Sequence, residues 1–191
     1  LRLTPRPLAT RAWRVGNMQG ALNASVAHAM LALLKPRPES TLLNIACGSG
    51  TLLIEHLHEQ HGRHALGCDS NPAALQIAQA NIAAANVTKS ADLLHTDART
   101  LPLPSGSIRY LCADLPFGRL VGSHADNTTL YPAILNEAAR ITEPDARFAI
   151  ITHEVKLMTR LLQEQTAWAT DEIRIITLTG LHPRIFMLKR R

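Results

Sequence analysis

Five short apolar runs, at residues 41–46, 64–68, 91–95, 108–113 and 147–152, alternate with stretches whose apolar side chains recur at helical spacing. Few folds accommodate that alternation. Runs this short, bounded by turn residues, read as buried strands, and strands separated by helices pair in parallel because a parallel neighbour needs a long crossover. Helical faces follow Asn23 (Val26, Met30, Leu33, Leu34), the stretch up to Gly62 (Leu53, Ile54, Leu57) and Asn71-Pro72 (Leu75, Ala78, Ile82, Ala85). Two more helices are expected over 127–142 and 154–163, and Asn23, Asn71 and Asn127 stand at cap positions. Strands at 173–178 and 184–189 flank Gly180 and predict an antiparallel hairpin. The expectation is a doubly wound α/β fold: a mostly parallel seven-stranded sheet, helices on both faces and a C-terminal antiparallel hairpin.

In such folds ligands bind beyond the carboxyl ends of the strands, where this chain gathers its glycines and acids. After the first strand comes Asn44-Ile45-Ala46-Cys47-Gly48-Ser49-Gly50-Thr51, whose glycines let a ligand approach the backbone. The loop lacks the three-glycine dinucleotide fingerprint and has no Lys-Ser/Thr pair for phosphates, which argues against a nucleoside triphosphate. S-adenosyl-L-methionine suits it better, because its amino acid end has no pyrophosphate. Asp69, followed by Ser70, closes the second strand 21 residues after Gly48, the spacing of a carboxylate that grips a ribose diol. Asp97, with Ala98, follows the third strand within reach of an adenine amine. A single acid at a strand end is usually a turn residue; three at successive ends indicate a ligand. The fourth strand runs into Asp114-Leu115-Pro116-Phe117-Gly118. An acid, a rigid turn and an aromatic ring can hold a flat, amine-bearing ring against an electrophile, so the two loops together imply methyl transfer to a nucleobase.

The 191 residues, 46% hydrophobic, suffice for one core. We expect residues 1–15 to be a basic linker or arm of a longer chain and 16–191 to be the domain. Residues 1–38 hold six bases and no acid, residues 173–191 hold five and no acid, and the stretch between holds nine bases against fifteen acids. Such a basic rim could attract a polyanion. No apolar run is long enough to span a bilayer, and Cys47, Cys68 and Cys112 are an odd, widely spaced set, so a cytoplasmic protein with no membrane partner is expected. His56, His58, His61 and His64 read as a solvated helix face and not a metal site, and Cys47 as a packing residue.

With these motifs placed, the chain resembles the class I S-adenosylmethionine-dependent methyltransferases that act on exocyclic amines, whose Asn/Asp-Pro-Pro-Tyr/Phe tetrad is similar to Asp114-Leu115-Pro116-Phe117. More closely, DLPFGRLVGSH with TLYPAIL downstream and GALNASVAHAML upstream resembles the catalytic domain of the THUMP-containing RNA guanine-N2 methyltransferases, over residues 16–190. The resemblance implies a Rossmann-like methyltransferase fold. It also implies that Asp114 and the Leu115 carbonyl accept hydrogen bonds from the target amine, that Phe117 stacks on the base, and that Gln19, Gly20, Ala21, Leu22 and Asn23 cover the methionine end of the cofactor. The implied substrate is RNA, with tRNA foremost, docked through a THUMP-type module outside these residues onto a monomeric domain. Two departures stand out: Asn44 replaces the usual acid that orients the loop amides, and Leu115 replaces a proline. Two other readings stay open: an adenine 6-amino methyltransferase on DNA or RNA, and a cofactor-binding partner subunit without catalysis.

Overall fold

The computed structural model describes residues 7, 9–59, 63–116, 123–177 and 182–191. Its elements are α1 (Ala24–Leu34), β1 (Thr41–Ile45), α2 (Thr51–Glu59), β2 (His64–Asp69), α3 (Pro72–Ala84), β3 (Ala91–His95), β4 (Ile108–Asp114), α4 (His124–Ile141), β5 (Thr142–Thr152), α5 (Val155–Glu164), β6 (Trp168–Ile175) and β7 (Arg184–Arg190). They form one seven-stranded sheet in the order β3-β2-β1-β4-β5-β7-β6. The first five strands in that order are parallel neighbours, and β7 is antiparallel to both β5 and β6. The expected mostly parallel sheet with its antiparallel end is therefore present.

Strand alternation builds two cores. Leu43, Ile45, Leu111, Phe148, Ile150 and Phe186 meet α4 and α5, whereas Leu42, Cys112, Ala149, Ile151 and Ile185 meet α1. A third cluster joins α2, α3 and β2 through Leu53, Ile54, Ala65 and Ile82, and it includes Trp13.

Three boundaries differ from expectation. Helix α4 begins at His124, not 127, because Ser123 and Asp126 form a reciprocal capping box. Strand β5 begins at Thr142, its pairing with β4 shifting register between Ile108 and Tyr110. Strand β6 begins at Trp168, not 173: it is an edge strand whose charged outer residues break the apolar run that marks a buried strand.

The expected arm, residues 1–15, is docked onto the domain where it is described. Trp13 is buried, and two guanidinium nitrogens of Arg11, Nε and Nη2, bond the carboxylate of buried Glu55 at 2.7 and 2.9 Å. This changes the meaning of the basic termini. Arg14 bonds within the domain, Lys189 pairs with Asp145, Arg174 with Glu172, and Arg190 donates to the carbonyls of Ala139 and Ala167. Much of the anticipated polyanion rim is thus committed internally. Among the described residues, no helix is long and apolar enough to cross a membrane.

Candidate active site

The carboxyl ends of β1, β2 and β4 open into one cavity of about 260 Å³. Its walls are residues 18–22, Asn44, residues 46–49, Thr51, Leu52, residues 69–71, Asp97, Ala98 and residues 114–116, over an apolar floor of Leu130 and Ile134 from α4. The sequence-predicted Gln19, Gly20, Ala21, Leu22, Asn44, Ala46, Cys47, Gly48, Ser49, Thr51, Asp69, Ser70, Asp97, Ala98, Asp114, Leu115 and Pro116 thus share one hollow. Asn23 and Gly50 do not line it. Asn23 caps α1, accepting from the Ser25 N–H, and Gly50 faces α3, where a Cβ would come within 3.3 Å of the Ala78 methyl. Phe117 lies outside the described residues. Sequence reasoning missed the lining residues Met18, Leu52, Asn71, Ala74, Leu130 and Ile134, most of which carry the same apolar signature as core positions.

The loop after β1 is held by hydrogen bonds at several points. Ala46, Gly48 and Gly50 all have positive φ, 52°, 53° and 79°, so the chain doubles back and turns its amides inward. The Gly48 N–H donates to Asp69 Oδ2 at 2.9 Å, and the Gly50 N–H donates to the Cys47 carbonyl at 2.9 Å. Asp69 Oδ1 also accepts from the Asn71 N–H. The task of orienting a loop amide, expected of the acid that Asn44 replaces, therefore belongs to Asp69. Asn44 does something a carboxylate could not: its Nδ2 donates to the carbonyls of Ile45 and Cys112 at 3.2 and 3.3 Å. Because carbonyls only accept, the amide nitrogen must face them, and Oδ1 is left buried with no donor. Asp97 is engaged by the Arg99 guanidinium, which holds its carboxyl below the usual range.

The loop after β4 is clamped from behind. The Leu115 N–H donates to the Ile151 carbonyl at 3.1 Å, extending the β4–β5 ladder into the turn. The Pro116 carbonyl accepts twice, from the Tyr131 hydroxyl at 2.6 Å and from Asn127 Nδ2 at 3.0 Å. Tyr131 has one proton, given to Pro116, so its 2.6 Å contact with Thr152 must be a bond that Thr152 donates; Thr152 Oγ1 in turn accepts from the Glu154 N–H. Asn127, expected to cap a helix, is instead a buried residue inside α4 that holds this loop. Asp114 stands at the front, partly buried, with a buried Oδ1 that meets no donor, and desolvation pushes its carboxyl up to about 7. Tyr131→Phe removes one grip on Pro116. Methyl transfer should slow roughly tenfold, because misplaced reacting groups lose rate steeply, with cofactor affinity unchanged; single-turnover kinetics and calorimetric titration separate the two.

One of the four histidines departs from expectation; His58 is exposed, and His61 lies outside the described residues. His56 is fully buried on α2, not solvated, and burial lowers its imidazole to about 4. Its contribution to stability is complete above its unfolded value near 6.5 and is lost as pH falls from there toward 4, on the order of 3 kcal/mol in total. Urea denaturation of wild type and His56→Leu across that window checks this: the variant should lack that acid-side loss. Among the described residues no three His, Cys, Asp or Glu groups gather to hold a metal ion. The three cysteines are buried free thiols, with burial raising Cys68 to about 12 and Cys47 well above its usual range.

The sheet order, the antiparallel β7 and the cavity beyond β1, β2 and β4 define a Rossmann-like methyltransferase fold. Crystalline TrmN from Thermus thermophilus superposes with a TM-score of 0.86 at 27% identity, covering 99% of this chain and 55% of that one. The chain belongs to the UPF0020 family, the RMKL-like methyltransferase domain, matched over residues 11–184. The mouse tRNA (guanine(6)-N(2))-methyltransferase THUMP3 is 32% identical over 88% of this chain. The mouse U6 snRNA (guanine-N(2))-methyltransferase THUMPD2 is 29% identical over 78% of it. The chain spans 36% and 27% of the lengths of these two relatives.

Proposed function

We propose that this domain binds S-adenosylmethionine in the cavity and transfers its methyl group to the exocyclic 2-amino group of a guanine in RNA, tRNA being the principal substrate class. The observation that carries this reading is Asp114: a partly buried carboxyl whose inner oxygen is buried and donorless, lining the same cavity as the glycine loop. Two buried acceptors lacking donors, on Asn44 and Asp114, suit a ligand pair that brings N–H groups to both, such as the methionine ammonium and an aromatic amine. Asp69, at the end of β2, keeps lone pairs for a ribose hydroxyl while holding Gly48.

Bound S-adenosylmethionine supplies an electrophilic methyl on a sulfonium. The chain's task is to make an aromatic amine attack it. That nitrogen's lone pair is delocalised into the ring, so acceptors at both N–H bonds, the Asp114 carboxylate and the Leu115 carbonyl, draw the nitrogen toward a tetrahedral, nucleophilic form. Pro116 fixes the turn that separates these acceptors, and the bonds from Tyr131 and Asn127 keep its peptide plane from rotating. As the nitrogen–carbon bond forms, methyl transfer would break the donor's sulfur–carbon bond, its electron pair staying on sulfur as the thioether leaves, and would make the amine cationic until its proton passes to Asp114 or to water. Because burial raises the Asp114 carboxyl to about 7, the accepting form grows as pH rises through neutrality, and a cation in the same cavity favours it further. Phe117, adjacent in sequence, is suited to stack on the base.

Incubation with tRNA and methyl-labelled cofactor, then nucleoside mass analysis, tests the reading: label should appear on guanine N2. Label on adenine would transfer the assignment to the 6-amino enzymes. Measured cofactor binding without turnover on any RNA, even within the longer protein, would favour a non-catalytic subunit.

A further inference from the structure

The chain segment over residues 11–16 touches no part of the cavity, yet it is bonded to two of the cavity's walls. Arg14 Nη2 donates to the Leu22 carbonyl and to Thr51 Oγ1, both at 2.9 Å. Leu22 ends the wall formed by residues 18–22, and Thr51 begins α2 just after the glycine loop; both line the cavity. Asn81, buried on α3, makes a second connection. Its Nδ2 donates to the carbonyls of Gly16 and Ser49 at 3.0 Å, and its Oδ1 accepts from the Gly16 N–H at 2.8 Å. Every polar atom of this side chain is used to tie the segment to the middle of the glycine loop. The Ser49–Gly50 peptide is thereby fixed at both ends, its carbonyl by Asn81 and its N–H by Cys47.

The segment is anchored independently of those bonds. Arg11 grips buried Glu55, Trp13 lies in the core against α2 and α3, and a Cβ on Gly16 would come within 3.0 Å of Ile77 Cγ2, so the backbone passes α3 at contact distance. Half-burial lowers the pKa of Arg14, but in neutral solution the guanidinium keeps its charge and its full set of donors.

We propose that residues 11–16 act as a strap that sets the cofactor site, with Arg14 and Asn81 as positioning residues joining it to the two walls that would enclose the methionine end of S-adenosylmethionine. This deepens the cofactor reading above and rests on it. The physical reason is preorganisation. A loop with positive φ at Ala46, Gly48 and Gly50 keeps one shape for a ligand only if the polar groups between those turns are held, and Asn81 holds the carbonyl of Ser49. Released, the loop must be reordered by the ligand at the expense of affinity. Coupling between two sites is reciprocal, so ligand in the cavity should also steady the strap.

The test uses calorimetric titration with S-adenosylhomocysteine and amide hydrogen exchange on the full chain. Asn81→Ala and Arg14→Gln should weaken binding on the order of five- to fiftyfold, Arg14→Lys should recover part of the loss by restoring a charged donor of longer reach, and the ligand should slow exchange of the Gly16 amide in wild type. Ile108→Ala, which leaves a cavity at the amino end of β4, opposite the end that carries the site, serves as the control: it lowers stability and should leave affinity unchanged. Strap variants that stay folded and bind like wild type would overturn the strap, as would affinity that tracks stability equally in Ile108→Ala. If wild type itself binds no S-adenosylhomocysteine, the cofactor reading fails first and the strap with it.

Discussion

Asp114→Asn should abolish methyl transfer while making the protein more stable. The two effects have one origin. A partly buried carboxyl with a donorless inner oxygen, whose pKa desolvation raises from 3.8 to about 7, is a destabilising group whenever it is ionised. Below pH 3.8 both folded and unfolded chains hold the proton and nothing is lost. As pH rises from there to about 7 the unfolded chain releases it first, and stability falls, by on the order of 4 kcal/mol once the window is crossed. Asn carries no such charge, so at pH 8 the variant should gain on the order of 2–4 kcal/mol, read as a higher urea midpoint at unchanged slope. The kinetic loss should be on the order of a hundred- to ten-thousandfold in kcat/KM, the range of a positioned acid or base, with cofactor affinity retained. A variant that is both active and no more stable would remove Asp114 from the mechanism. His56 acts in the opposite sense over part of the same range, losing stability as pH falls from 6.5 toward 4. Wild type should therefore show a flattened profile between pH 4 and 6.5, and Asp114→Asn should expose the full His56 slope.

The same two residues show what a sequence reveals and what it hides. The sheet, its order of elements and the loops beyond β1, β2 and β4 were legible because strand periodicity, glycines and acids are local signals. Asp114 at a strand end announced itself; its missing donor did not, since that depends on what every other element leaves unpaired. His56 looked solvated because a helix with histidines two apart has polar residues all round, and only the tertiary packing of α2 buries it. Asn127 looked like a cap because residues of its type usually are caps, while Ser123, four residues earlier, supplied a better one together with Asp126. Asn44 looked like a weakened acid, and its two carbonyl partners, one of them 68 residues away, explain why an amide stands there. Asn127 and Asn44 are polar, buried and bonded to backbone atoms of other elements, a pattern that leaves no periodic trace. Residues 1–15 were expected to be a linker or arm for a related reason: a few residues without a repeat look like one until the partners of Arg11 and Trp13 on α2 and α3 are seen.

That segment carries the largest expected stability effect. Arg11 holds both oxygens of Glu55, whose side chain is 1% exposed, and is itself mostly covered. Removing one member of a buried ion pair strands the other, which costs more than the pair is worth intact. Arg11→Ala should therefore lower stability by about 3–5 kcal/mol, equivalent for a domain of this size to roughly 6–20 °C in Tm. Replacing both partners with apolar side chains, Arg11→Leu with Glu55→Met, should restore most of the loss, because no charge is then left in the cluster of Trp13, Leu53 and Ile54. A double-mutant cycle followed by thermal denaturation measures the coupling directly. Should the single variant prove as stable as wild type, residues near Arg11 would be lying on the domain without holding it, and the bonds that Arg14 and Asn81 make to the glycine loop would have to anchor the strap alone.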